Sequence, residues 1–165
     1  MEKNNNKWRQ IRRKDRVLDR NGAEDILKKG TYGVLSTFGQ DGYPYGVPLS
    51  YVYLDSKLYF HCAGAGHKLD SILKDDKVSF CVIDQDQVVG EEYTTYFRSV
   101  IAFGRARVLE GAEKLRPLVE LCEKYYPGHL EQTRQKAEHA LKNVSIVEVT
   151  IEHMTGKTAM ELVKK

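Results

Sequence analysis

Cysteine is scarce in this 165-residue chain: Cys62, Cys81 and Cys122 are odd in number and sit among apolar neighbours, without the paired spacing of a metal site. That argues against a disulfide framework and an ordinary zinc centre, and points to free thiols in a reducing cytoplasm. Long apolar runs are lacking as well. No stretch approaches the roughly 18–20 apolar residues of a membrane span, and residues 1–20 are polar and basic, unlike a secretory signal. There is no repeat, low-complexity tract or linker, and tryptophan occurs once, at Trp8. An excess of one charge is nearly lacking too, since 26 Lys+Arg against 23 Asp+Glu leave only +3. The excess is concentrated near the start, where Arg9, Arg12, Arg13, Lys14 and Arg16 face a single Asp15. Neither a recognition helix nor a zinc knuckle accompanies this cluster, so nucleic acid is not an expected partner. We read residues 1–20 as a solvated basic arm that packs on a partner subunit.

What is present fits one soluble domain over residues 1–165, with 41% hydrophobic and 30% charged residues. A short helix is expected over 23–29, with Ile26 and Leu27 inward and Gly30 as its stop. The period then changes to two. Strands are expected over 31–37 and 43–54, joined by a tight turn at Gln40-Asp41-Gly42. Pro44 and Pro48 require the second strand to be bulged around Gly46-Val47-Pro48 or to lie at an edge. Further strands follow over 57–63 and 77–83, then a polar loop over 84–92 and a β-rich run over 93–109, interrupted near Gly104. A helix over 112–126 presents Leu115, Leu118, Val119, Cys122 and Tyr126 as a buried face, Pro127-Gly128 breaks it, and a more polar helix covers 129–142. In the last strand Val147, Val149 and Ile151 alternate with Glu148, Thr150 and Glu152, which predicts one wet face. About six antiparallel strands with peripheral helices make an α+β chain centred on a small, nearly closed barrel.

The chemistry concentrates in Phe60-His61-Cys62-Ala63-Gly64-Ala65-Gly66-His67-Lys68-Leu69-Asp70. A hydrophobic strand runs into a small-residue loop, and a helix over 67–74 opens with His67 and Lys68. Glycines allow close backbone approach, the first-turn N–H groups are unpaired, and a lysine adds full charge, which together suit a phosphate. Ser36 and Ser50 have no evident base partner, so a serine nucleophile is not expected. His129, His139 and His153 read as surface residues, and His61 as either a core histidine inside the barrel or a site residue. Tyr43, Tyr45, Tyr51 and Tyr53 read as core and interface, with one of them available to stack on a flat ring.

Several segments, in order along the chain, resemble the flavin-binding split-barrel superfamily that includes the pyridoxamine-phosphate oxidases, and more closely its nitroimidazole-resistance branch. They are Arg12-Arg13-Lys14-Asp15-Arg16, Tyr32-Gly33-Val34-Leu35-Ser36-Thr37, Gly42-Tyr43-Pro44-Tyr45-Gly46-Val47-Pro48-Leu49-Ser50-Tyr51-Val52-Tyr53, Tyr59-Phe60-His61-Cys62-Ala63 with Gly66-His67-Lys68-Leu69-Asp70, Ser99-Val100 with Phe103-Gly104, and Thr155-Gly156-Lys157. The resemblance implies a six-stranded antiparallel split β-barrel and a homodimer holding two FMN molecules at its interface. It implies that Val47, Pro48, Leu49 and Ser50 meet the polar edge of the isoalloxazine, that His61, Cys62 and Ala63 line the next strand, and that His67 and Lys68 meet the phosphate. The second subunit is implied to add Tyr96, Arg98 and Ser99, with Thr155, Gly156 and Lys157 reaching the site. FMN needs a cationic, N–H-rich cradle at one end and an apolar slot with hydrogen-bonding edges at the other, and the residue pattern offers both.

The expected function is that of a cytoplasmic FMN-dependent oxidoreductase acting on small electron-poor compounds such as nitroimidazoles, with His67 as the catalytic candidate. His67 can instead donate to the phosphate or cap its helix. Vitamin B6 oxidation is not expected, because the chain ends Thr158-Ala159-Met160-Glu161-Leu162-Val163-Lys164-Lys165, without the Trp-Arg-Leu segment usual in those oxidases. The alternative is a flavin- or haem-binding store or sensor with little turnover, using His61 or His67 as an axial ligand.

Overall fold

The computed structural model describes residues 7–163. A short strand β1 (Val17–Leu18) leads into α1 (Arg20–Lys29). The Asp19 carboxylate accepts the Gly22 N–H at 2.7 Å and starts the helix, and the Gly30 N–H closes it on Ile26 O at 2.9 Å. Ala23, Ile26 and Leu27 are its buried side. Then come β2 (Tyr32–Phe38), β3 (Pro44–Ser50), β4 (Val52–Leu54), β5 (Lys57–Cys62) and α2 (His67–Lys74). The chain continues through β6 (Lys77–Val89), β7 (Thr94–Val108), α3 (Leu115–Tyr125), α4 (Leu130–Ala140), β8 (Ser145–Thr158) and α5 (Met160–Val163).

Eight strands, rather than the six expected, form one antiparallel sheet in the order β3-β2-β6-β7-β8-β5-β4, with β1 also paired to β8. The two ends of that order, β3 and β4, are separated in sequence by Tyr51 alone, so the sheet must curl round on itself. They do not pair with each other, and the barrel stays split at that seam. The backbone of Tyr51 is held there by α3: its N–H reaches Tyr125 Oη at 3.1 Å, and Lys124 Nζ reaches Tyr51 O at 3.0 Å and Gly30 O at 2.6 Å. Tyr125 Oη also donates to Thr31 O.

Several expectations are corrected. Strand β3 has an unbroken register with β2, from Tyr32 opposite Ser50 to Phe38 opposite Pro44. Of the two expected accommodations the edge position is the one found: β3 ends the strand order and carries its prolines without a bulge. The stretch 84–92 is not a loop: β6 continues past a register shift between Ile83 and Gln85 to Val89, extending the β6–β7 hairpin beyond the barrel. Near Gly104, β7 slips register against β8 without breaking, and a Cβ there would lie 2.1 Å from Thr150 O. In α3 the buried residues are Pro117, Leu118 and Leu121, while Tyr126 is exposed and stacks on His129. Glu148 is no wet-face residue; it is 5% exposed.

Barrel packing follows from period-two patterning. Leu35, Phe60, Phe80, Val82, Val100, Val147 and Val149 fill the interior, closed by Ile26 and Leu27 of α1 and by Leu69 and Ile72 of α2. A second cluster, containing Val52, Tyr59, Leu118, Leu121, Ala137 and Ile146, lies under α3 and α4. Among the described residues no helix is long and apolar enough to cross a membrane, and the three cysteines are unpaired.

Candidate functional site

The start of α2 lies where the sequence places it. Gly66 precedes the helix with φ +128, a conformation that side-chain-bearing residues rarely adopt, and no side chain caps the helix. Gly66 O accepts the Leu69 and Asp70 N–H groups at 2.9 and 3.1 Å, which leaves the His67 and Lys68 amides without an acceptor among the described residues. Residues 63–66 are exposed. The start of α2 thus offers two open amides and the positive end of the helix dipole, with Lys68 in its first turn, a set that suits an anion.

The strands beside it alternate as pleated strands do. Phe60 and Cys62 point into the core, whereas His61 and Ala63 are exposed, so His61 is not a core histidine. Burial pushes the Cys62 thiol up from its ordinary value, partly opposed by the Lys68 charge, which keeps it protonated and unreactive at neutral pH. On β3, Val47 and Leu49 pack against the core while Pro48 and Ser50 face outward. Tyr45 is half-buried, and its ring stacks on His67, centroids 4.0 Å apart and planes inclined by 15°. Its cross-strand neighbour Thr37 is buried, and Thr37 Oγ1 has no hydrogen-bond partner. Sequence named Tyr45 only as one of four tyrosines, one of them free to stack on a flat ring, and gave Thr37 and Gly39 no role; the signal was the Gln40-Asp41-Gly42 turn, which brings these residues over α2.

The remaining predicted residues form a second group. Arg98 pairs with Thr158, Ser99 with Lys157, Val100 with Gly156 and Ile101 with Thr155, so Arg98, Ser99, Thr155, Gly156 and Lys157 are neighbours across β7 and β8, while Tyr96 lies beyond that pairing, opposite Gln87 of β6. Arg98 Nη2 binds Asp84 Oδ2 at 2.7 Å, while Arg98 Nε is buried and unpartnered. Tyr96 Oη donates to Glu92 Oε2 at 2.7 Å, which raises the phenol from its ordinary value. The Lys157 ammonium lies 5.4 Å from the Phe97 ring centroid. Cys62 faces Ser145 at one end of β8 and Lys157 is at the other, so the two groups flank opposite ends of that strand.

Between them runs a continuous outer row, Pro48-Val34-Cys81-Ile101-Thr155, each residue registered to the next across five strands. Its members are apolar or uncharged, and Ile101 is 39% exposed. Beside it Trp8 of the basic arm stacks on His153 at 4.9 Å and tilts onto Phe103 at 5.5 Å, so His153 is covered rather than a free surface residue.

Residues 19–158 match the family model described as pyridoxamine 5'-phosphate oxidase. Among solved structures, the chain is similar to the conserved hypothetical protein Rv2991 from Mycobacterium tuberculosis, with 21% identity over 93% of each chain and a TM-score of 0.80. It is similar to the FAD and heme binding protein from Mycobacterium smegmatis at 19% identity, 86% of this chain and 71% of that one, TM-score 0.75. It is also similar to a Bacteroides thetaiotaomicron VPI-5482 protein named for 5-nitroimidazole antibiotic resistance, at 21% identity, 86% and 85% coverage and TM-score 0.65. No curated protein matches the chain. The structural likenesses carry the split-barrel fold, and with a family match that spans most of the sequence they lead to one conclusion: this chain belongs to the pyridoxamine 5'-phosphate oxidase family.

Proposed function

We propose that the protein binds FMN at a homodimer interface and acts as an oxidoreductase on small electron-poor compounds of the nitroimidazole type. The observation that carries this reading is the start of α2, where two unpartnered amides, a side-chain-free Gly66 and Lys68 fit the FMN phosphate. When bound, the flavin supplies reversible electron uptake from a donor and delivery to an acceptor. Lys68 and the His67 and Lys68 amides would hold the phosphate, and the edge strand β3, from Val47 to Ser50, would meet the ring. The His67 imidazole is the group available to hold or pass a proton. Thr37 Oγ1 and Arg98 Nε, both buried and without a partner among the described residues, are further polar atoms that a ligand can satisfy.

Two features support the homodimer. Tyr96, Arg98, Ser99 and Thr155 to Lys157 lie toward the opposite end of β8 from the strand that leads into α2, and a second copy would bring its own set to the same flavin. The outer row from Pro48 to Thr155 gives that copy an apolar face to cover. Free thiols fit a cytoplasmic setting. The relatives named for nitroimidazole resistance and for FAD and heme binding support a redox cofactor. His61, exposed and unpartnered among the described residues, favours a second reading as a flavin- or haem-binding store or sensor.

The test is FMN titration of apoprotein, with sedimentation to count subunits and Lys68→Ala alongside. Loss of one charge-assisted contact should weaken FMN binding by about 10- to 100-fold. Unchanged affinity in that variant would remove the cradle assignment. A haem spectrum in the purified protein, with no flavin uptake, would replace the first reading by the second.

A further inference from the structure

A histidine in the first turn of an exposed helix ordinarily samples several rotamers. His67 is instead confined. One face of its ring lies on Tyr45, 4.0 Å between centroids and nearly parallel. At its edge is the β2–β3 turn, where Gly39 leaves so little room that a Cβ would come within 3.1 Å of His67 Nε2. That turn is itself closed by Gly39 N–H on Tyr43 O at 2.8 Å. The His67 backbone is tied as well, since Ser71 Oγ donates to His67 O at 2.8 Å. Three elements therefore set the ring: β3 covers one face, the turn after β2 lies at its Nε2 edge, and α2 holds the backbone that carries it, while the rest of the ring is open to solvent.

We propose that Tyr45 and Gly39 are positioning residues, forming a slot that holds the His67 imidazole beside the open amides of α2 so that its protonated form assists in binding the FMN phosphate. The proposal rests on the FMN reading above. Its physical basis is that a phenol face attracts a stacked imidazolium, and that a proton-bearing ring fixed beside a helix N-terminus adds a charge-assisted donor to the two amides without the entropy of ordering a free side chain. Part of the FMN affinity is then linked to a proton, and the link runs through Tyr45; the charged groups beside the ring are Asp41 of the β2–β3 turn, whose Oδ1 borders the same Gly39 position, and Lys68 and Asp70 in the first turn of α2.

The experiment is FMN titration followed by flavin fluorescence between about pH 5.5 and 8, using wild type, Tyr45→Phe, Tyr45→Leu, His67→Gln and the Tyr45→Leu/His67→Gln double variant. His67→Gln reports the background due to ionisation of the phosphate alone. Tyr45→Phe keeps the stacking face and should reproduce the wild-type profile. Tyr45→Leu should lose about tenfold in affinity at the acid end, little at the alkaline end, and overlie His67→Gln, with no further loss in the double variant. A second readout needs no flavin: the His67 ring-proton resonance of the apoprotein should move in Tyr45→Leu and stay in Tyr45→Phe. Equal weakening by Tyr45→Leu at every pH, additive with His67→Gln, would make Tyr45 a merely structural residue and overturn the proposal. A His67→Gln profile identical to wild type would overturn it while leaving FMN binding intact. Absence of FMN binding in the wild type would remove the parent reading and this one together.

Discussion

Replacing Glu148 by glutamine should be among the most damaging isosteric changes in the barrel. Its carboxylate is almost fully buried, yet it accepts from Arg107 Nε at 2.9 Å, Lys57 Nζ at 3.0 Å and Tyr59 Oη at 3.0 Å. Burial alone would raise the acid, but these three donors outweigh it and hold it below the usual carboxylate range. Tyr59, desolvated and facing that anion, is pushed up to about 12. Breaking a buried ion pair costs about 3–5 kcal/mol. Lys57 and Arg107 are 35% and 51% exposed and regain some hydration, so roughly 2–3 kcal/mol is expected. In urea unfolding that appears as a lower midpoint at unchanged slope, and in a thermal scan as a drop of roughly 5–10 °C. The matched control is Glu113→Gln, because Glu113 binds the same guanidinium from an exposed position and should cost less than about 1 kcal/mol. A carboxyl held low in the folded state contributes stability above its unfolded pKa of about 4.3 and loses it as pH falls through the folded value. The wild-type advantage over Glu148→Gln should therefore shrink on acidification below about pH 4. Equal losses from the two substitutions would refute the argument that burial sets the cost.

Gly104→Ala should destabilise by more than about 3 kcal/mol in the same assay, since its Cβ would meet the Thr150 backbone at 2.1 Å where neither strand can yield; a loss under about 1 kcal/mol would show the slip in register to be pliable. Burial pushes the Lys124 ammonium down to about 8, so between there and about 10.4 the unfolded chain binds the extra proton and stability should rise with pH, relative to Lys124→Met, by about 1 kcal/mol after allowance for its partial exposure. A pH-independent difference between the two would contradict that desolvation. Cys62, buried and raised, should react with iodoacetamide at neutral pH far more slowly than a free thiol, and fast labelling of the native protein would show the β5 end to be open.

The barrel was legible because its strands obey period two and its turns carry Asp-Gly or Gly signals. The α2 boundaries, His67–Lys74, follow directly from the small-residue loop before them and the apolar spacing within. What the pattern hides is context supplied by distant strands. Residues 84–92 look like a loop because they are polar, but a hairpin that projects from the barrel is wet on both faces and keeps no alternation to read. Glu148 alternates like a solvent residue, and only the return of Lys57 and Arg107 beside it makes burial tolerable. At the site, His67 and Lys68 announce themselves through the glycine-rich turn, whereas Tyr45 is one tyrosine among several until the β2–β3 turn folds over α2. Arg98 and Lys157 are neighbours by register alone, a relation no local window contains.

The seam at Tyr51 has a consequence for the order in which the molecule assembles. The β2–β3 and β4–β5 pairs are local hairpins, which close on the microsecond scale of about 1–10 μs. The groups that fasten the seam, Tyr125 to Tyr51 and Lys124 to Gly30, span 74 and 94 positions, and such long loops form late. The β5–β8 pairing spans 83 to 93 positions as well, so β8 and the α3 latch close the barrel late and together, after the hairpins. The latch is only a few hydrogen bonds, and its release would let the Tyr51 amide exchange with solvent by a sub-global opening.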